Sequence, residues 1–326
     1  MTTAVLARER VGTTGLSAVL LPALVSATTF GLAGSLARSL LDLGWSPAAV
    51  VVARVGGAFL VLFLPCLMLL RRIGLPSARQ SGRMVVYGLV PVALAQLCYF
   101  SSVQYLSIGV ALLLEYLAPV LLIGWHWARN RRRPALRVFL GAGLALAGLV
   151  LVLDLTGDLN LNPVGVAWGL GAAGCLCVYF LLSEEAGVSA PIHPLLLTTV
   201  STGVGGLVII LLGITGVLPV TARTGQTLVA GHAVTWLLPA ALLILITAVL
   251  AYLTGIVAIR VLGSSVASFV ALSEVIFAVI FAALLLGQHP SLTQLVGGGL
   301  ILTGIAVVQR GEAAVPREAA NPSQGD

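Results

Sequence analysis

The chain has 326 residues, 59% of them hydrophobic and only 9% charged. Soluble domains carry about 25% charged residues, so a water-facing globule, a disordered chain and a secreted disulfide scaffold are excluded, and the chain reads as an integral membrane protein. Its net charge of +6 comes from 17 arginines with no lysine, set in short clusters between apolar runs rather than on an aromatic-rich basic surface, so nucleic acid is not an expected partner.

A helix needs about 20 apolar residues to cross a bilayer. Arg8 and Arg10 precede an apolar run from Leu16 to Leu36, which is too long for the core of a cleaved signal and reads as a retained first span. At that window the chain predicts ten spans, near 16–37, 47–70, 84–105, 108–128, 136–153, 163–183, 194–213, 236–259, 264–286 and 292–309. The connections are short, and between spans only 214–235 is long enough to hold another element. From Gly311 onward, Pro316, Pro322 and several charges predict a disordered tail. Cys66, Cys98, Cys175 and Cys177 lie inside apolar stretches without a C-x-x-C pattern and read as small buried hydrophobes.

Arginine sets the orientation, because basic residues collect on the cytoplasmic side. Arg8, Arg10, Arg71, Arg72, Arg79, Arg83, the cluster Arg129 to Arg137, Arg260, Arg310 and Arg317 fall on one side of a ten-span threading. The other side holds Arg38 and Arg223 with Asp42, Asp154 and Asp158. Both termini are therefore expected in the cytoplasm of a multi-pass cell-membrane protein. Trp45, Trp125, Trp127 and Trp236 lie near span ends, where an aromatic belt belongs.

Residues 84–150 slide onto 240–306 without a gap. Val110-Ala111 meets Val266-Ala267, Pro134 meets Pro290, and Gly141-x-Gly143…Gly148 meets Gly297-x-Gly299…Gly304. Before the matched prolines, one copy reads Asn130-Arg131-Arg132-Arg133 and the other Leu286-Gly287-Gln288-His289. Five spans per copy put these loops on opposite sides, and the arginine loads one of them. That is the pattern of an inverted-topology repeat. The expected fold is all-α, with ten transmembrane helices as two inverted five-helix repeats: a cytoplasmic tail over 1–15, repeats over 16–155 and 163–309, and a disordered cytoplasmic tail over 310–326.

Ala53-Arg54 in the second span, Gly109-Val110-Ala111…Ala118-Pro119 in the fourth and Val266-Ala267…Leu272-Ser273-Glu274 in the ninth resemble the drug/metabolite transporter superfamily, EamA-type. The resemblance covers nearly the whole chain. It implies a secondary active transporter that exports a small metabolite, amino-acid-like or drug-like, by alternating access. Two positions depart from the family pattern: Val275 follows Glu274 where the family has Pro, and Gln288 stands where the family often has Glu.

An ionisable group at mid-membrane costs about 2.5–3.5 kcal/mol, so it needs a partner or a wet cavity. Arg54 lies nine residues after Trp45, roughly 13 Å deep at 1.5 Å per residue. It reads as a fixed cation for a substrate carboxylate, as a partner of Glu115 or Glu274, or as an arginine snorkelling to the outer head groups. Glu115, with Pro119 one turn on, reads as a site for a cationic group, a proton carrier or half of an ion pair. Glu274 has small Ala267, Ala271 and Ala278 at helical spacings and reads as a coupling residue or a packing hydrogen bond. Gln96, Tyr99 and Tyr252, with Trp168 and Tyr179 on the sixth span, are cavity candidates, with interhelical packing as the alternative. His126, between two tryptophans, reads as a head-group-level histidine.

Gly169-x-Gly171-x-x-Gly174 matches a dinucleotide fingerprint but has no strand before it, and reads as close helix packing. No metal-ligand spacing or cofactor motif is present. The expected partners are a small-molecule substrate, the lipid bilayer and a coupling proton. The rivals are an intramembrane enzyme, for which no nucleophile–base pair is found, and a helical scaffold, which has no need of Arg54, Glu115 and Glu274 in the membrane.

Overall fold

The computed structural model describes residues 15–103, 105–106, 108–130, 134–153, 162–188, 191–287 and 290–313. The Arg131–Arg133 cluster, Asp154, Asp158, Gln288 and the two chain ends lie outside these residues, and with them parts of the orientation and tail readings.

The chain begins with α1 (Gly15–Asp42), α2 (Pro47–Ile73) and α3 (Ala78–Tyr87), which runs through a π-helical stretch, Gly88–Leu94, into α4 (Ala95–Val103). Then come α5 (Ile108–Glu115), α6 (Ala118–Asn130), α7 (Leu136–Val152), α8 (Pro163–Val188) and α9 (Pro194–Ile214). An antiparallel hairpin, β1 (Gln226–Val229) and β2 (His232–Thr235), occupies the long connection that follows. The chain resumes with α10 (Leu237–Ile244), a second π stretch Leu245–Leu250, α11 (Ala251–Leu262), α12 (Ser264–Ala271), α13 (Ser273–Leu286) and α14 (Leu292–Ala313). Eight helical runs among the described residues are long and apolar enough to cross a membrane, and Leu136–Val152 and Leu292–Val308 are shorter apolar helices.

Local chemistry explains the boundaries. Ser46 caps α2, its hydroxyl accepting from the Ala49 amide at 3.2 Å, with Pro47 opening the helix. The third span starts at Ala78, six residues before the expected 84, because Ser77 and Gln80 form a capping box, with bonds of 2.9 and 3.3 Å. At the other end of the chain, α14 continues to Ala313, past the expected end at 309.

The two copies share two irregularities. The π stretches at Gly88–Leu94 and Leu245–Leu250 fall at matching places in the gap-free alignment. The expected fourth and ninth spans are each broken, at Tyr116-Leu117 and at Leu272, which are also matched positions. Pro119 has no amide to bond the Glu115 carbonyl. At Leu272 there is no proline; the Ser273 hydroxyl donates to the Val270 carbonyl at 2.6 Å, a back-bond that the unbroken helix at Ser268 also carries. Hydrogen bonds tighten to three-residue spacing at both breaks, Leu117 N–H to Leu114 O at 3.2 Å and Leu272 N–H to Phe269 O at 3.1 Å.

Helices α7 and α14 pack backbone to backbone. A Cβ on Gly141 would lie 2.8 Å from the Gly304 carbonyl, and one on Gly148 2.5 Å from that of Gly297. The matched glycines are thus one pseudo-symmetric contact; Gly143 and Gly299 face open space. Gly169 and Gly171 likewise press on Leu114 and Cys98, as close packing predicts, while Gly174 touches nothing within 4 Å. Glycine also lets α1 lie on α13, where a Cβ at Gly31 would sit 2.7 Å from the Glu274 carbonyl.

The hairpin covers one end of the bundle. The Thr227 hydroxyl donates to Ser39 O at 2.6 Å, the Ser39 hydroxyl to Leu228 O at 3.1 Å, and the Ala230 amide to Leu285 O at 3.0 Å. Just before it, Trp45 donates to Arg223 O at 2.6 Å and stacks at a tilt on Trp236, ring centroids 5.6 Å apart. Trp45 is 9% exposed, so this tryptophan is buried under the connection, whereas Trp125 and Trp127 face outward as belt residues do.

Candidate functional site

A cavity of about 880 Å³ lies between the two copies. Its lining reaches Arg38, Leu41 and Pro47 at the hairpin end, where the Arg38 side chain is 64% exposed, and ends at the other side on the buried Phe180 and Ile259, so its mouth is read at the hairpin end.

Arg54 enters this cavity from α2. Its Nη2 donates to the Thr247 carbonyl at 2.7 Å, in the second π stretch, whose wide turns leave backbone carbonyls outside the regular ladder. The guanidinium carbon stands 5.3 Å from the Phe30 ring centroid and 5.9 Å from that of Tyr252. Those two rings meet edge to face at 5.2 Å. Cation–π contacts of this kind contribute about 0.5–2 kcal/mol, most where water is excluded. Nε is buried without a partner. The side chain is held inside the bundle and does not snorkel to the head groups.

Glu115 and Glu274 line the same cavity. Glu115 closes α5 just before the first break, and Glu274 stands in the first turn of α13 just after the second. The helix breaks therefore carry the acids, one from each copy. Tyr116 lies beside Glu274, its hydroxyl toward that carboxylate. The ion pairs among the described residues are Arg38–Asp42 at 2.9 Å and Arg83–Glu185 at 2.6 Å, so neither cavity glutamate has an ion partner within 4.0 Å. One cation with an unused donor and two carboxyls thus share a largely apolar chamber, a combination suited to a small ligand bearing charge on an apolar body.

Gln96, Tyr99, Tyr252 and Tyr179 also line the cavity. Trp168 does not: it is 36% exposed, on the outward face of α8. His126 is half-buried near the end of α6 and hydrogen-bonds Ser264 at 2.9 Å, tying α6 to the start of α12. Sequence reasoning missed Phe30, Tyr116 and the Thr247 carbonyl. Tyr116 was signalled by its place beside Glu115; an aromatic in an apolar run and a backbone oxygen leave no such trace. No three His, Cys, Asp or Glu side chains cluster for a metal among the described residues.

The sequence profile of the EamA-like transporter family matches this chain twice, over residues 17–154 and 163–310. An uncharacterized transporter of Archaeoglobus fulgidus is 26% identical over 281 residues, covering 86% of this chain and 93% of that protein. The uncharacterized inner membrane transporter YicL of Salmonella typhimurium is 21% identical over 234 residues, covering 72% of this chain and 75% of that protein. A solved crystal structure, 18% identical, covers 89% of this chain and 96% of its own with a TM-score of 0.69, a likeness of fold.

Proposed function

The chain belongs to the EamA-like transporter family, and from that premise we propose that it is a secondary active transporter of a small charged or amphipathic metabolite, working by alternating access. The observation that carries the reading is the convergence of Arg54, Glu115 and Glu274 on one cavity, with both acids at helix breaks. Discontinuous helices with polar groups near the midplane are how many secondary transporters build their sites. Arg54 takes the anionic group of the substrate. Glu115 or Glu274 takes a proton exchanged against it, each being an ionisable group on the cavity wall at a helix break. Export from the cytoplasm, and an amino-acid-like or drug-like substrate, are carried over from the family resemblance. The test is flux in proteoliposomes: a pH gradient should drive uptake of a zwitterionic amino acid or an amphipathic drug from a mixed panel, and protein-free vesicles should show none. A panel that moves no faster than in protein-free vesicles refutes the proposal.

The proposal includes ten spans in two inverted five-helix repeats, over 16–155 and 163–309, with both termini cytoplasmic. The shared π stretches and breaks support the repeat, and the arginine distribution supports the orientation. In a background without native cysteines, single cysteines at Ser77 and at Ala233, in the hairpin, should react with an impermeant maleimide from opposite sides. Reaction from the same side would refute the threading.

A further inference from the structure

The end of the molecule away from the cavity mouth is fastened by consecutive acids at the end of α8. Glu185 pairs with Arg83 of α3 at 2.6 Å. Glu184 turns the other way and accepts the Ser264 amide, the first of α12, at 3.1 Å. The turn between α11 and α12 comes this close because Gly263 has a φ of +85°, a conformation that suits glycine. Above the acids, the buried Tyr87 and Ser183 hydroxyls share a hydrogen bond of 2.7 Å. Below them, the stem of Arg260 packs on Gly187, 2.9 Å from where a Cβ would stand. Three helices from both copies meet on these two side chains, and all the contacts lie on the same side of the bundle.

We propose that Glu184 and Glu185 form a two-armed latch that shuts the cavity on its far side, Glu185 holding α3 and Glu184 holding α12. The latch carries its own release. Arg83 Nη1 and Arg260 Nε and Nη2 are buried with no hydrogen-bond partner, which disfavours the closed state because unmet buried donors lose their hydration. Opening lets water or an incoming anion reach them, and so offsets the loss of the ion pair. A run of ring contacts joins latch to site: Tyr87 to Tyr179 at 5.7 Å, Tyr179 to Tyr252 at 6.4 Å, and Tyr252 beneath Arg54. Occupancy of Arg54 therefore has a packed route to the hydroxyl pair beside the acids.

The latch rests on the transporter reading, but its test reads accessibility rather than flux, so a chain that moves no substrate still answers it. The full chain, with its four native cysteines replaced by alanine, carries the single replacement Ala271→Cys on the cavity wall. An impermeant maleimide is applied to membrane vesicles of each orientation. The parent should label fast from the mouth side and slowly from the far side. Glu185→Gln and Arg83→Gln should each raise the far-side rate relative to the mouth side, by about two- to fivefold for a partly exposed pair, and Glu184→Ala, which removes the acceptor of the Ser264 amide, should raise it as well. Arg83→Lys keeps the charge and should stay within about twofold of the parent. Far-side rates equal to the parent in Glu185→Gln, Arg83→Gln and Glu184→Ala, with mouth-side labelling intact to show a folded chain, would overturn the latch. So would Arg83→Lys opening the far side as much as Arg83→Gln.

Discussion

Arg54→Leu is expected to abolish transport while leaving the chain inserted and folded. Hydrogen bonds to charged groups contribute about 1.5–3 kcal/mol, so losing the cation from the site should cut flux at low substrate at least ~tenfold. Stability should change little. Leucine belongs in the membrane, and the substitution removes a buried Nε that had no partner; replacing buried charge by a well-packed apolar side chain is often neutral. Arg54→Lys separates charge from shape. It keeps the cation but loses the planar fork that can donate to Thr247 O while presenting other N–H groups to a carboxylate, so it should transport with a weaker apparent affinity. Initial rates against substrate concentration, with a melting curve for each variant, decide it. Normal flux through the leucine variant would reduce the site to the two glutamates.

Replacing both cavity acids, Glu115→Gln with Glu274→Gln, is expected to sever transport from the pH gradient while exchange of substrate across the membrane continues. Glutamine keeps the shape of each side chain and cannot cycle a proton. Each acid stands at a helix break, where a change of charge state acts on a flexible joint rather than on a continuous helix. The single variants identify the carrier: the one that loses gradient-driven accumulation holds the proton, and the other retains it. Accumulation by the double variant at the parent rate would sink proton coupling through these residues.

Much of this was legible in the residues. Composition forces a membrane protein, and a carboxylate such as Glu115 in a leucine run has few places to go except a cavity. The paired glycines of α7 and α14 could be matched because a contact too close for a Cβ tolerates nothing else. Other features left weaker traces. The break at Tyr116 has a mark in Pro119, although the sequence reads 108–128 as one span; that at Leu272 has no proline and leaves no comparable mark. Of the π stretches, the first holds Pro91, which has no amide to bond back to Tyr87, whereas the second, Leu245–Leu250, carries no such mark. Trp168 and Trp45 show the limit of reading tryptophan by position: the first faces out from a span taken to line the cavity, and the second is covered by a connection far along the chain.

That connection bears on the order in which the molecule is completed. The bonds that join it to the ends of α1 and α2 link residues 175 to 189 positions apart. At a synthesis rate of about 5–20 residues per second, the first two helices wait roughly 10–40 s before their partners exist. Through that interval the Ser39 hydroxyl, 3% exposed in the finished protein, lacks the Leu228 carbonyl, and the indole of Trp45 lacks the Arg223 carbonyl. Helix α1 also lies against α13 at Gly31, later still in the chain. The first copy is therefore not a unit that matures by itself ahead of the second. Its opening helices gain these contacts only as the second copy is made, first from the hairpin and then from α13.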